Sequence, residues 1–366
     1  MIVECVYRND RPSEIKFPKA LLPATRDSFY PHHFQGSCGD NLIELAGRVC
    51  YLSTKSEKSR NSKDYHDHIN ETFNYSVQEH FNFTVLFKAE NSVSRESLVY
   101  DLALNLLNRP GVVVYWRNGD ELAVTLNIRS AREWKYSWNG QVISKYDSFG
   151  FEIQRIASQL CPLAMSEADK CIFNPRHPAK GELINPELDD EIWISYYIAG
   201  ASRNFSHEWI RHRFRTGVSQ KSSRFCDETN SDWSWHPLLT EYWNELPVDL
   251  LSQQKECQSS YEKLVNFLQD KLLKKGIDKT TGRKLARGAS RGILGTCLET
   301  EMIYSASLAQ WKRIIAQRAS NVADSEIRII SSKIYDDLKN NYPDKFTEYT
   351  KNPAIDGFGY NVSSRK

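Results

Sequence analysis

The sequence carries almost no net charge: 48 Lys and Arg stand against 46 Asp and Glu, a formal net charge of +2. No protein-wide field for a polyanion follows from that balance, whereas a small anionic ligand held by a local cluster is unaffected. The chain also lacks any Cys-x-x-Cys pair. Its eight cysteines (5, 38, 50, 161, 171, 226, 257 and 297) are scattered singly over 366 residues, which excludes a tight disulfide framework and reads as reduced thiols of a cytosolic protein. No apolar run reaches the roughly 18 residues of a membrane span, and the opening MIVECVYRNDRPSE has no apolar stretch of a secretion signal. These absences predict a soluble, cytoplasmic protein, long enough to bury a full core as one large domain or two smaller ones.

Basic charge is concentrated in one place, Arg203 to Phe225, RNFSHEWIRHRFRTGVSQKSSRF. Phe205 with Trp209 and Ile210 with Phe214 have helical i,i+4 spacing, which predicts a helix with Arg211 and Arg215 on one face. Beyond Thr216-Gly217 the pattern breaks, and Ser219 to Arg224 reads as a loop of hydroxyl, amide and guanidinium groups. Such a helix end and loop suit a phosphorylated planar ligand, because arginine forks grip phosphate and hydroxyls and amides read a base. Two plainer readings accompany this one: a solvated face, or a basic nucleic-acid-binding patch.

Arg211-His212-Arg213, a polar loop, then Ser222-Ser223-Arg224-Phe225 resembles the signature of the flavin-dependent thymidylate synthases, the ThyX family. Distant blocks add to the likeness. Ala46-Gly47-Arg48-Val49-Cys50 is similar to a block of that family, as is Ser76-Val77-Gln78-Glu79-His80 before the strand-like Phe81 to Phe87. KLARGASRGILG (284–295) resembles the family's A-R-x-x-L-P block, with Arg291 or Arg287 in the matching place. Arg291 precedes Ile293-Leu294 and lies 27 residues before Arg318.

About a hundred residues, Lys88 to Ile192, separate blocks that the family joins by a short connection. Within them Leu122 to Trp134 and Phe149 to Leu160 resemble the family's C-terminal segment, which Ser307 to Arg318 and Asp324 to Ile330 resemble again. An internal partial duplication is expected. The first copy holds Asn127 and Arg129 where the second has Ser307 and Ala309. The second holds Arg318 eight residues before Glu326, where the first has Ser144. The expected division is an N-terminal part of the family domain (1–87), an insert (88–190), the Arg-rich and C-terminal part (191–350) and a tail (351–366), with Cys161 to Asp189 as linker.

The resemblance implies an α+β fold, a mixed or antiparallel sheet flanked by helices. It implies reductive methylation of dUMP to dTMP with FAD, NADPH and 5,10-methylenetetrahydrofolate, in a homo-oligomer, a tetramer with its sites between subunits. Arg318 would activate the uracil by stabilising charge at N3. Glu208, Arg211, Gln220, Lys221, Ser222, Ser223, Arg224 and Arg291 would bind the nucleotide. Cys50, Ser76, Glu79, Arg211, His212, Arg213, Asn127, Arg129 and Arg313 would bind the flavin. The sequence departs from the family by a loop one residue longer after Arg213, by Glu208 in the place of a glutamine, and by Ser219-Gln220 for the commoner Asn-Glu. These departures leave another uridine nucleotide open as substrate. Asp64, His66, Asp67 and His68 suggest a metal site only weakly, since His66 and His68 diverge on a helix.

Overall fold

In the computed structural model the described residues are 1–11, 15–18, 34–53, 60–72, 74–88, 96, 111–118, 120–135, 148–166 and 180–364. Ser144 and Phe73 lie outside them. In chain order they form β1 (Ile2–Arg8), α1 (Cys38–Tyr51), α2 (Ser62–Glu71), a 3₁₀ turn (Tyr75–His80), β2 (Asn82–Lys88), β3 (Val113–Asn118), β4 (Glu121–Asn127), α3 (Ile128–Arg132), α4 (Ser148–Leu160) and β5 (Gly181–Leu183). Then come β6 (Trp193–Ser202), α5 (Arg203–Trp209), β7 (Thr216–Gln220), α6 (Pro237–Glu241), α7 (Leu250–Lys274), α8 (Lys279–Ser290), β8 (Glu299–Ser307), α9 (Leu308–Arg318), α10 (Ser325–Asn341), β9 (Tyr349–Pro353) and β10 (Tyr360–Ser364).

Two four-stranded antiparallel sheets, in the orders β1-β6-β8-β7 and β3-β4-β2-β5, are flanked by helices, with β9 and β10 as a separate hairpin. The expected α+β class is what is found. The side-chain period of a strand explains why β6 is apolar almost throughout. Trp193, Tyr197, Ala199 and Ile303 face a core shared with α1, α4 and the second sheet. Ile194, Tyr196, Ile198, Met302, Tyr304 and Ala306 face a second core under α9 and α10. With both faces covered, alternation with polar residues has no place. Each large side chain fully buried there contributes about 1.5–3 kcal/mol. Helix α1 begins at Ser37, whose hydroxyl accepts from the Asp40 amide in a capping box, and buries Leu42, Leu45, Ala46 and Val49, which recur at helical spacing on one stripe.

Three local expectations are corrected. The Arg-rich helix ends at Trp209 rather than running on to Phe214. The His212 carbonyl accepts the hydroxyls of Tyr304 at 2.6 Å and Thr216 at 3.1 Å, so one distant and one local side chain replace a continuing helical ladder. Arg215 then adopts φ +50° and turns inward to Asp190 at 2.8 Å, away from Arg211. Ser219 and Gln220 belong to β7, paired with Ile303 and Met302, and the loop starts only at Lys221. Within the expected linker, Gly181–Leu183 forms β5 on the edge of β2. The two segments that resemble each other both run strand, N-cap (Asn127 or Ser307), helix, helix. Such an order is what a duplication requires, and the duplication itself stays a proposal, as do the domain limits. Among the described residues no helix is long and apolar enough to cross a membrane.

Candidate functional site

Strand β7 is the axis on which the singled-out residues gather. Gly217 in its middle has no room for a side chain: a Cβ would sit 2.9 Å from the carbonyl carbon and oxygen of Glu79 and 3.0 Å from the His80 amide. Because those atoms are backbone, only glycine lets the 3₁₀ turn press against the strand. The contact buries His80 completely. Its Nδ1 lies 2.7 Å from Ser305 Oγ and its Nε2 2.9 Å from Ser219 Oγ, while Ser195 and Ser305 pair at 2.6 Å. Burial pushes its pKa down to about 3, so the ring is neutral and joins the 3₁₀ turn to β6, β7 and β8.

Glu79, next to it, accepts from Arg129 Nη1 at 2.6 Å, and Arg129 Nε donates to Glu133 at 3.0 Å. Two residues fifty positions apart, both expected to hold flavin, thus meet. Burial raises the pKa of Glu79, against the pull of Arg129. Asn127 is occupied as the cap of α3, accepting from the Ser130 amide at 2.8 Å, and Ser76 is exposed on the 3₁₀ turn.

At the start of β7, Arg318 at the end of α9 donates from Nε to His212 Nε2 at 2.9 Å and from Nη1 to Glu208 Oε2 at 2.7 Å. An acceptor role on Nε2 makes His212 neutral with its proton on Nδ1. Burial, then the Arg318 charge, depress its pKa to about 4. Arg318 Nη2 has no hydrogen-bond partner among the described residues. Arg211 and Arg213 are exposed, and Arg313 lies over the Phe214 ring at 5.7 Å.

At the other end of β7, the Ser222 amide donates to the Cys50 carbonyl at 2.9 Å, which joins α1 to the loop. Burial raises the pKa of Cys50. Arg291 Nη1 reaches Ser223 Oγ at 3.4 Å, Arg224 is exposed beside Gly288, and Arg203 donates to the Lys221 carbonyl at 2.9 Å. Arg287 is spent on the Phe225 carbonyl and Asp227, so Arg291 is the arginine aimed at the serines. Lys221 is buried in an ion pair with Glu228 at 2.8 Å, and Gln220 donates to Thr300 at 3.0 Å. Neither points freely outward.

Glu228 and Gly217 escaped the sequence reading. A glycine inside a strand is itself a signal of close backbone approach, whereas nothing local marks Glu228 as the counter-charge of Lys221. The suggested metal residues do not converge: His66 is buried 3.2 Å from the Asp40 carbonyl, and no metal-binding group of three or more occurs among the described residues.

Residues 191–344 match the family model of the thymidylate synthase complementing protein. The flavin-dependent thymidylate synthase of Mycolicibacterium gilvum is 32% identical over 164 residues, 45% of this chain and 64% of that protein. That of Mycobacterium sp. (strain KMS) is 33% identical over 169 residues, 45% of this chain and 65% of that one. That of Corynebacterium diphtheriae is 31% identical over 161 residues, covering 44% and 63%. The chain spans a little under two thirds of the length of these relatives. A solved structure, Thymidylate Synthase X from Helicobacter pylori with FAD and dUMP, is 19% identical, covers 42% of this chain and 70% of that one, and has a TM-score of 0.28, too low to carry an argument.

Proposed function

We propose, from the match of residues 191–344 to the family model of the thymidylate synthase complementing protein and the likeness to flavin-dependent thymidylate synthases, that the chain methylates C5 of dUMP reductively to give dTMP. The observation that carries this reading is the gathering of the family-like blocks, scattered from Cys50 to Arg318, along one five-residue strand.

C5 of uracil becomes a carbon nucleophile when negative charge on the ring is stabilised at N3 and O4. Arg318 suits that task. His212 holds Nε and Glu208 holds Nη1, which orients the planar fork and leaves Nη2 for the ring edge. Each pKa unit by which it acidifies N3 is worth 1.36 kcal/mol. A neutral His212 keeps its Nε2 lone pair on Arg318 and adds no second positive charge. Ser222, Ser223, Arg224 and Arg291 would bind the nucleotide phosphate, with Arg224 left without an ion-pair partner among the described residues for an incoming anion.

The donors present fit FAD. Arg211 and Arg213 are exposed guanidiniums with no acidic partner among the described residues, which suits a pyrophosphate. Glu79 and Arg129 offer an acceptor and a donor against the middle of β7. Bound flavin would supply the hydride, with NADPH as its reductant and methylenetetrahydrofolate as the carbon donor. Arg318 and the Ser222–Arg224 loop stand at opposite ends of β7, about 16 Å of strand at 3.3 Å per residue. That separation favours an oligomer in which two chains complete each site.

The test is the visible spectrum of the purified protein before and after dUMP. A flavin band that shifts with dUMP is expected. A band indifferent to dUMP but responsive to another uridine nucleotide moves the substrate assignment, and no flavin after reconstitution with FAD removes the reading.

A further inference from the structure

Far from β7, the edge strand β1 and helix α10 enclose a cavity of about 160 Å³ lined by Cys5, Val6, Tyr7, Arg8, Arg11, Lys16, Asp337 and Asn341. We propose that this cavity is a second anion site that binds free inorganic phosphate.

Its charge balance is the first reason. Three cations line it, and the one carboxylate, Asp337, is already satisfied. Its Oδ2 accepts from Arg8 Nη2 and from the Tyr196 hydroxyl at 2.5 Å, and its Oδ1 from Asn341 Nδ2 at 3.2 Å. Asp10, 4.0 Å from Arg11, offsets part of the surplus while accepting from the Tyr342 hydroxyl at 2.9 Å. Among the described residues at least one positive charge is left uncompensated.

The second reason is Arg8 itself. Its side chain is nine-tenths buried, and its Nη1 has no hydrogen-bond partner although it is removed from solvent. Tyr342 lies beside it, with the guanidinium carbon 5.4 Å from the ring centre, and its hydroxyl donates to Asp10 at 2.9 Å. A buried guanidinium N–H without an acceptor is costly, and an oxyanion in the cavity supplies one. Arg11 and Lys16 stand at the rim. Arg11 is fastened to Asn341 by contacts of 3.3 and 3.5 Å, and Lys16 by its amide to the Val6 carbonyl at 2.9 Å.

Size admits the ligand. The cavity, about 160 Å³, has room for a tetrahedral oxyanion with part of its hydration shell. The three cations are rigidly based, two on or beside β1 and the third tied to α10, so the site is pre-shaped.

The experiment is calorimetric titration of inorganic phosphate into the protein carrying Arg224→Gln and Arg291→Gln, which empties the nucleotide site of its phosphate-binding arginines. One equivalent of phosphate is expected to bind still. Adding Arg11→Gln and Lys16→Gln, both at the rim and outside the buried Arg8–Asp337 pair, is expected to weaken it tenfold or more, since each charge-assisted contact is worth at least that factor. A circular-dichroism melt in phosphate-free buffer checks that the rim substitutions leave the fold intact. Phosphate binding that vanishes with Arg224 and Arg291, or that is unchanged by the rim substitutions, overturns the proposal. Because the titration does not involve flavin or methyl transfer, its failure leaves the reading of the β7 site standing, and the converse.

Discussion

Replacing His80 by Gln tests whether the contact between the 3₁₀ turn and β7 is built around a neutral imidazole. The native ring has no exposed surface, bridges Ser219 and Ser305, and has its pKa driven down to about 3 by burial. In the unfolded chain a histidine titrates near 6.5. Below pH 6.5 the unfolded state therefore takes up a proton that the folded state refuses, so folding stability falls as the pH falls and the loss is complete only near pH 3. At 1.36 kcal/mol per pH unit, the stretch from pH 6.5 to pH 5 removes about 2 kcal/mol through this residue alone. His212 acts in the same direction but is partly exposed, and both proteins share it. Urea unfolding of the native protein at pH 7 and pH 5 is expected to show that loss. The His80→Gln protein is expected to start lower at pH 7, by a few kcal/mol for two weakened hydrogen bonds and altered packing. It should then lose about 2 kcal/mol less on going to pH 5. Equal pH dependence in the two proteins would show that the imidazole is solvated or charged in the folded state, and would refute the reasoning.

Arg318→Lys keeps the charge but loses the fork held by His212 and Glu208. A fall in the turnover of dUMP of about 10²–10³ is expected by tritium release from C5, with the dUMP-dependent flavin spectrum retained, and a rate within tenfold of the native one would dismiss the role. Gly217→Ala drives a methyl group into the Glu79 backbone and is expected to cost about 1–3 kcal/mol in a urea titration and to lower flavin content; an alanine protein as stable as the native one contradicts the close approach. Arg287→Ala, which breaks contacts to Phe225 and Asp227, should lower the melting temperature with little change in dUMP affinity. Arg291→Ala should weaken dUMP about tenfold in an equilibrium titration while the melting temperature holds, and the reverse pattern would exchange the two arginines.

The sequence shows most clearly what local periodicity and residue chemistry encode. The stripe of α1, the apolar β6 and the helix α9 ending in Arg318 follow from spacing. What escaped was decided by tertiary partners. The spacing of Ile210 and Phe214 is helical, yet Tyr304 and Thr216 capture the His212 carbonyl and end the helix early. Ser219 and Gln220 look like loop residues, but β8 supplies a ladder for them. Lys221 looks like a free cation until Glu228, seven residues on, is seen buried against it. The meeting of Glu79 with Arg129 across fifty residues is likewise invisible to any local pattern.

The pairing of β1 with β6 joins Ile2 to Ala199. On the ribosome the first strand thus emerges with nothing to pair against until nearly two hundred more residues have been made. At about 5–20 residues per second that wait is roughly 10–40 seconds. β6 in turn lacks its other neighbour until β8 is complete, a further hundred residues later. For that interval the nascent chain carries an unpaired β1 and, once made, an apolar β6 whose face toward α9 and α10 is still bare, and during synthesis this stretch calls for chaperone cover.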